Sequence, residues 1–290
     1  MNNHQQKWFY LISLSIVWGS SFILMKKALL GVTPIQLGAL RILCTAFFML
    51  IIGFSSLKKI KKQHWKFIIY TALASTFFPV FLFAYAIHFI DSSIASILNS
   101  LTPFNALLLG FWFFGYTFKK NQIIGVLVGL LGTLGLILEG ADINPDQNYW
   151  YALLVVIASL GYALNANIVK KYLSDLDALA ITTGNFLLLI VPTFVILFCT
   201  DFFITFKGTE VEVNSLLWIV VLALFGTGLA KVMYNKMVQI SSPIFATSVA
   251  YIIPIVAVFW GVLDGERLSY VQVIAGVLIL IGVYLVNRNT

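Results

Sequence analysis

The chain has 290 residues, of which 60% are hydrophobic and only 10% charged, with a mean hydropathy of +0.97. A soluble domain carries about a quarter charged residues, so water alone is excluded as this chain's solvent. The formal net charge of +7 has to be located along the chain before it can be read as affinity for any partner.

In chain order, the polar N-terminus gives way after Lys7 to an apolar run with no small-residue cleavage site, which predicts a retained first helix rather than a signal peptide. The apolar blocks then run 8–25, 34–54, 67–90, 93–116, 121–138, 149–169, 178–200, 215–238, 243–263 and 270–287. A spanning helix needs about 20 apolar residues, so about ten crossings are expected. Only Asp91 and Ser92 part the third block from the fourth, and only residues 240–242 part the eighth from the ninth. A fused run of about 45 residues would be far too long for one crossing. The longest connections are about 10–15 residues, too short to fold by themselves. Cys44 and Cys199 both fall inside apolar blocks and read as packing residues.

Charge predicts the orientation. Lys58, Lys59, Lys61, Lys62 and Lys66 crowd the second connection, Lys119 and Lys120 the fourth, and Lys170 and Lys171 the sixth. Asp91, Glu139, Asp142, Asp146, Asp201, Glu210, Glu212, Asp264 and Glu266 mark the odd-numbered connections. Basic loops stay cytoplasmic, which places both termini inside; Lys26 and Lys27 dissent. The excess of cations is thus explained by juxtamembrane loops, and no nucleic-acid partner is expected.

Aligning Pro103 with Pro254 reveals a repeat: IASILNSLTPFNALLLG lies over IFATSVAYIIPIVAVFWG, with Ala95 on Ala246, Ala106 on Ala257 and Gly110 on Gly261. Further on, Gly125 and Val126 meet Gly276 and Val277. Upstream, VWGSSFILMKKA lies over GYALNANIVKKY, so Trp18 falls on Tyr162 and Lys26-Lys27 on Lys170-Lys171. The chain therefore divides into residues 1–145 and 146–290, each with five helices. Five is odd, so the second copy enters the membrane from the opposite side, an inverted repeat with its substrate site where the halves meet.

WGSSF in the first helix, the arginine of GALRILCTA in the second, SSIASILNSLTP in the fourth, SPIFATSVAYIIP in the ninth and GERLSYVQVIAGVLILIGVYL at the end resemble, in this order, the EamA family of the drug/metabolite transporter superfamily. The resemblance covers nearly the whole chain. It implies a basket of helices around a central cavity, with the fifth and tenth helices outside as scaffold, in a bacterial plasma (inner) membrane, and it implies export. Gly115 stands where the pattern repeats Glu266, a glutamate expected to be structural.

No catalytic pair, metal spacing or nucleophile elbow is present, so neither an enzyme nor a cofactor or metal is expected. GLLGTLG follows no strand and, with Gly125 and Gly129, reads as a close-packing helix face. The eleven acidic residues all map to connections or helix ends, which removes the usual exchangeable site of a proton-coupled organic-cation extruder. Arg41 and Lys231 instead lie within spans and lean the cavity toward zwitterionic or anionic solutes, with helix-tying or snorkelling as the alternative for each. Lys236, nearer the membrane face, reads as a snorkelling anchor.

Pro103 and Pro254 each free a carbonyl one turn earlier, at Asn99 and Ala250, and such carbonyls are tolerated at membrane depth only where protein or a watered cavity satisfies them. The two prolines are the expected kink or gating points. Asn99, Thr102, Ser248 and Tyr251 are candidate ligands beside them. Trp18 and Ser21, with their repeat partners Tyr162 and Asn165, and the pair Tyr85 and Tyr234, complete the candidate substrate-binding set. His88 is expected at an interface. The expected protein is an all-α secondary transporter in the lipid bilayer, monomeric or homodimeric, moving a small-molecule substrate such as an amino acid by alternating access. An organophosphate or nucleotide-sugar carrier and a lipid-handling membrane protein are the alternatives.

Overall fold

In lipid every backbone N–H and C=O must find its partner inside the protein, and helices do this within one segment. The computed structural model describes residues 3–115, 120–143 and 148–287, and among these every regular element is helical. Lys119 and Asp146, named above, and the end of the block 93–116 lie outside the described residues, as do the side chains of Val126 and Asp142.

The helical segments, numbered in chain order, are α1 (Asn3–Ala28), α2 (Pro34–Gly53), α3 (Lys62–Phe89), α4 (Ser92–Phe114), α5 (Lys120–Ile143), α6 (Tyr149–Tyr172), α7 (Ala178–Phe198), α8 (Glu210–Ile240), α9 (Pro243–Leu263) and α10 (Tyr270–Asn287). Among the described residues, eight of them are long and apolar enough to cross a membrane, all but α5 and α10. Large apolar side chains cover the outside; Phe47 and Val191 are each 71% exposed, which suits lipid as their neighbour and not water.

Polar residues cap the starts of several helices. Thr33 Oγ1 accepts from the Gln36 N–H at 3.4 Å while the Gln36 side chain accepts from the Thr33 N–H at 3.0 Å, with Pro34 in the first helical position. The same reciprocal cap joins Thr209 to Glu212 at the start of α8 and Ser269 to Gln272 at the start of α10. Each supplies orphan N–H groups of the first turn with an acceptor. The α8 cap carries that helix back to Glu210, ahead of its apolar run.

Packing crosses between the two parts of the chain. α1 lies against α8 and α9, whereas α6 lies against α3 and α4; α2 packs on α7, α4 on α9 and α5 on α10. The α5–α10 contact is as close as helices come. A Cβ on Gly132 would lie 2.8 Å from the Ala275 carbonyl oxygen, and one on Gly282 would lie 2.5 Å from the Gly129 nitrogen, so only glycine fits there.

The dissenting cations of the first connection are neutralised locally. Lys26 Nζ lies 2.9 Å from both Asp264 and Glu266, and Lys27 pairs with Asp264. Glu266 also accepts from the N–H groups of Ser92 (3.2 Å) and Ser93 (3.1 Å) and from their hydroxyls (2.7 and 2.6 Å), so it caps the N-terminus of α4. Burial alone would raise its carboxyl, but the bonds from Ser92, Ser93 and Lys26 outweigh burial and hold it below the usual glutamate range. In the first half, where Gly115 replaces this acid, the matching Lys170 turns instead to the carbonyls of Gln239, at 2.9 Å, and Ser241 at the end of α8. Lys59–Asp177 at 2.8 Å and His64–Asp175 at 3.3 Å tie the connections after α2 and α6.

Candidate functional site

Two helices depart from α geometry at corresponding places. α3 widens to a π-helix at Leu73–Phe77 and α8 at Leu222–Leu229. Each π segment begins with Leu-Ala and lies twelve residues before a tyrosine, Tyr85 or Tyr234. A π turn misaligns the backbone ladder and exposes acceptors, which is why such turns gather at functional sites.

Both segments line one internal cavity, with about 110 Å³ open to the centre of a water molecule. Trp18 and Ser21 enter it from α1, Arg41 from α2, Asn99 and Thr102 from α4, Tyr162 and Asn165 from α6, and Lys231 and Tyr234 from α8. Nine of the twelve side chains singled out as substrate ligands therefore meet in one place. Tyr85, Ser248 and Tyr251 do not line it. Tyr85 follows the lining residue Phe83 by two positions, about 200° around the helix, and Tyr251 is displaced in the same way from Val249 and Ile253. The Ser248 hydroxyl donates to the Phe245 carbonyl at 2.6 Å, turned back on its own chain where α9 breaks.

Neither buried cation reaches for lipid or water. Arg41, 8% exposed, donates from Nε to Thr227 Oγ1 at 2.7 Å and from Nη1 to Met25 Sδ at 3.3 Å. Lys231, also 8% exposed, donates to the Ser75 carbonyl at 3.2 Å, to Ser75 Oγ at 2.6 Å and to Thr76 Oγ1. Each cation thus bonds to the π segment of the other half. Among the described residues neither has a carboxylate within 4.0 Å, and none lines the cavity. Lys236 is exposed, unlike Lys231 five residues before it.

Aromatic and hydroxyl groups complete the wall. Trp18 Nε1 donates to the Gly226 carbonyl of the α8 π segment at 2.9 Å, and its ring meets Tyr234 at 5.3 Å. Tyr162 stacks on Phe83 at 5.9 Å. Gly161 lets α6 approach the α3 π segment, since a Cβ there would sit 2.0 Å from the Ala74 carbonyl oxygen.

The proline-freed carbonyls are satisfied by protein hydroxyls: Asn99 O accepts from Thr102 Oγ1 at 2.7 Å, and Ala250 O accepts from Ser100 Oγ of α4 at 2.9 Å. Pro103 and Pro254 are buried behind the wall and do not line it. Sequence reasoning missed Ser75, Thr76, Ser100 and Thr227. The signal was present in LASTFFP and FGTGL, where small hydroxyl residues interrupt apolar runs beside a proline or between glycines.

With this geometry in hand, comparison with known proteins is informative. The family model described as the EamA-like transporter family matches residues 7–138 and again residues 149–288. The chain is similar to the uncharacterized inner membrane transporter YedA of Escherichia coli strain K12, at 27% identity over 288 residues, covering 95% of this chain and 90% of that one. It is similar also to the uncharacterized transporter YoaV of Bacillus subtilis strain 168, at 23% identity with 93% and 92% covered. An uncharacterized transporter of Archaeoglobus fulgidus is 25% identical, with 98% and 99% covered. A crystal structure 16% identical in sequence shares the fold with a TM-score of 0.66, covering 97% of this chain and 96% of that one.

Proposed function

The chain belongs to the EamA-like transporter family, a multi-pass transporter of small solutes in the plasma membrane, and from that premise we propose that it exports amino acids or related zwitterionic or anionic metabolites by alternating access. The observation that carries the solute's charge is the pair Arg41 and Lys231, buried in one cavity that no carboxylate lines among the described residues. A buried charge without a partner is costly and is retained where it has a task. The cavity, with about 110 Å³ open to the centre of a water molecule, is well above the space one water needs.

Ten crossings, two inverted five-helix halves at residues 1–145 and 146–290, and cytoplasmic termini are the topology we propose. The reciprocal packing of α1 on α8 and α9, and of α6 on α3 and α4, supports a two-fold relation between the halves. So does the placement of both π segments. In such an arrangement Pro103 and Pro254 are the bending points, and rocking of the halves opens the cavity to one side at a time.

Counterflow in proteoliposomes containing the purified protein tests this reading. Uptake of labelled amino acid or carboxylate driven by unlabelled solute inside is expected, and lipophilic cations are expected not to exchange. Exchange confined to lipophilic cations would refute the charge assignment. Lipid flipping with no movement of any solute would point to a lipid-handling protein. Two cations in one cavity also suit an organophosphate, and loss of phosphate-ester binding in Lys231→Ala with amino acids unaffected would favour that carrier.

A further inference from the structure

The polar groups of the cavity are not equally free to meet a solute, and their occupancy narrows its chemistry. Lys231 has three N–H bonds to give and already gives all three to neutral oxygens of Ser75 and Thr76. Arg41 has five. Its Nε and Nη1 are engaged by Thr227 and by the weakly accepting sulfur of Met25, whereas Nη2 has no partner among the described residues. Nη2 is also absent from the sealed, partnerless polar atoms, so this side chain, more than nine-tenths buried, presents two N–H groups to the cavity. Tyr162, which lines the same cavity, presents a hydroxyl in the same condition.

The acceptors are all neutral. Asn165 Oδ1 lies 2.9 Å from Ser75 Oγ and Asn99 Oδ1 lies 3.2 Å from Thr102 Oγ1, while the single proton of each hydroxyl has a nearer acceptor in the Thr71 or Asn99 carbonyl, both at 2.7 Å. The carbonyls freed by irregular backbone, Gly226 O and Ala250 O, each already accept one hydrogen bond, from Trp18 and Ser100. A solute ammonium needs about three acceptors, would meet two fixed positive charges and would find no carboxylate. The rest of the wall is mainly apolar, with Phe22, Met25, Val80, Phe83 and Ile253, and includes the hydroxyl residues Ser21, Tyr234 and Thr247.

We infer, on the carrier reading given above, that the cavity selects a monocarboxylate with an apolar body over the amino acid of the same skeleton, and that the carboxylate seats on Arg41 Nη2 with Tyr162 as second donor. The α-amino group weakens binding, so among the solutes proposed above the anionic ones are preferred to the zwitterionic.

Three compounds with one branched skeleton test this: 4-methyl-2-oxopentanoate, leucine and 3-methylbutylamine. With purified wild-type protein, ligand-induced thermal stabilisation is expected to show the oxo acid binding at least ~10-fold more tightly than leucine, a difference of about 1.4 kcal/mol, and the amine not binding. Arg41→Gln is expected to abolish the preference for the acid. Arg41→Lys keeps the charge without the planar fork and is expected to retain part of the preference, which serves if the glutamine variant does not fold. Leucine binding as tightly as the oxo acid, no binding of the oxo acid, or an unchanged preference in Arg41→Gln would each overturn the inference. Counterflow with the same compounds separates the two readings. Leucine exchanging faster than the oxo acid defeats only the selectivity, whereas no exchange of any solute tested defeats the carrier reading itself.

Discussion

Replacing Glu266 by alanine removes one side chain and disturbs three segments. Its carboxylate, 1% exposed, takes four hydrogen bonds from Ser92 and Ser93 and one from Lys26. Breaking a buried charge pair from one side costs about 3–5 kcal/mol, and losing a helix cap costs about 0.5–2 kcal/mol. These overlap, because the cap is the same carboxylate. Lys26 also keeps Asp264 at 2.9 Å and is a third exposed, so solvent screens the charge it loses. The expected cost of Glu266→Ala is therefore about 3 kcal/mol, or about 6–12 °C in melting temperature at about 2–4 °C per kcal/mol. Glu266→Gln keeps one acceptor and should cost about half as much. Lys26→Gln should cost under about 1 kcal/mol. Thermal unfolding in detergent orders the three. The pH dependence follows from the lowered carboxyl: its contribution is complete above the unfolded value of about 4.3 and is lost as pH falls through the lower folded value. The gap between wild type and Glu266→Ala should stay flat from neutral pH down to about 5 and close only in stronger acid. A Lys26→Gln variant as unstable as Glu266→Ala, or a gap that widens with acid, would refute the capping account.

Gly161→Ala forces a Cβ to 2.0 Å from the Ala74 carbonyl oxygen; overpacking typically costs about 1–3 kcal/mol, and a lower melting temperature with impaired counterflow is expected. Ser100→Ala strips the donor from the Ala250 carbonyl and should cost about 1–3 kcal/mol, read by the same unfolding assay. Lys231→Met removes an unpaired buried charge while nearly conserving shape, so melting temperature should hold or rise while transport falls at least ~10-fold; unchanged transport would assign Lys231 a purely structural part.

How far the sequence is legible depends on which force sets each feature. Block boundaries are visible because lipid demands a long apolar run, and they match the helix starts where a polar cap directly precedes that run, as at Pro34, Pro243 and Tyr270. They are late at Glu210 because a Thr-Glu cap, not hydropathy, starts that helix. The cavity residues are visible when they are expensive: a charge or amide in an apolar run advertises itself, and Arg41, Lys231, Asn99 and Asn165 do so. Ser75, Thr76 and Thr227 are cheap in a helix, since a hydroxyl can bond back to its own backbone, as Ser75 does to Thr71 O at 2.7 Å. Their only signal is their setting beside a proline or between glycines, which marks a place in the helix but names no partner. Tyr85 was misleading for another reason. Repeat equivalence to Tyr234 transfers position along the helix, but one member faces the cavity and the other does not.

The two π segments connect these observations. Arg41 stands in α2 and bonds Thr227 in the π segment of α8; Lys231 stands in α8 and bonds Ser75 and Thr76 in the π segment of α3. Trp18 of α1 likewise reaches the Gly226 carbonyl, and Asn165 of α6 reaches Ser75. Every tie runs from one half of the chain into the irregular turn of the other. The acceptors are the hydroxyls of Ser75, Thr76 and Thr227 together with the carbonyls of Ser75 and Gly226, which a regular α-turn would have spent on its own ladder. The groups that line the cavity are therefore also the groups that join the halves. A solute anion that draws on Arg41 acts on the same guanidinium that holds Thr227, so occupancy of the cavity and the relative placement of the halves share one side chain. Coupling of this kind requires the solute to bind one arrangement more tightly than the other, and the shared guanidinium is a place where that difference can arise.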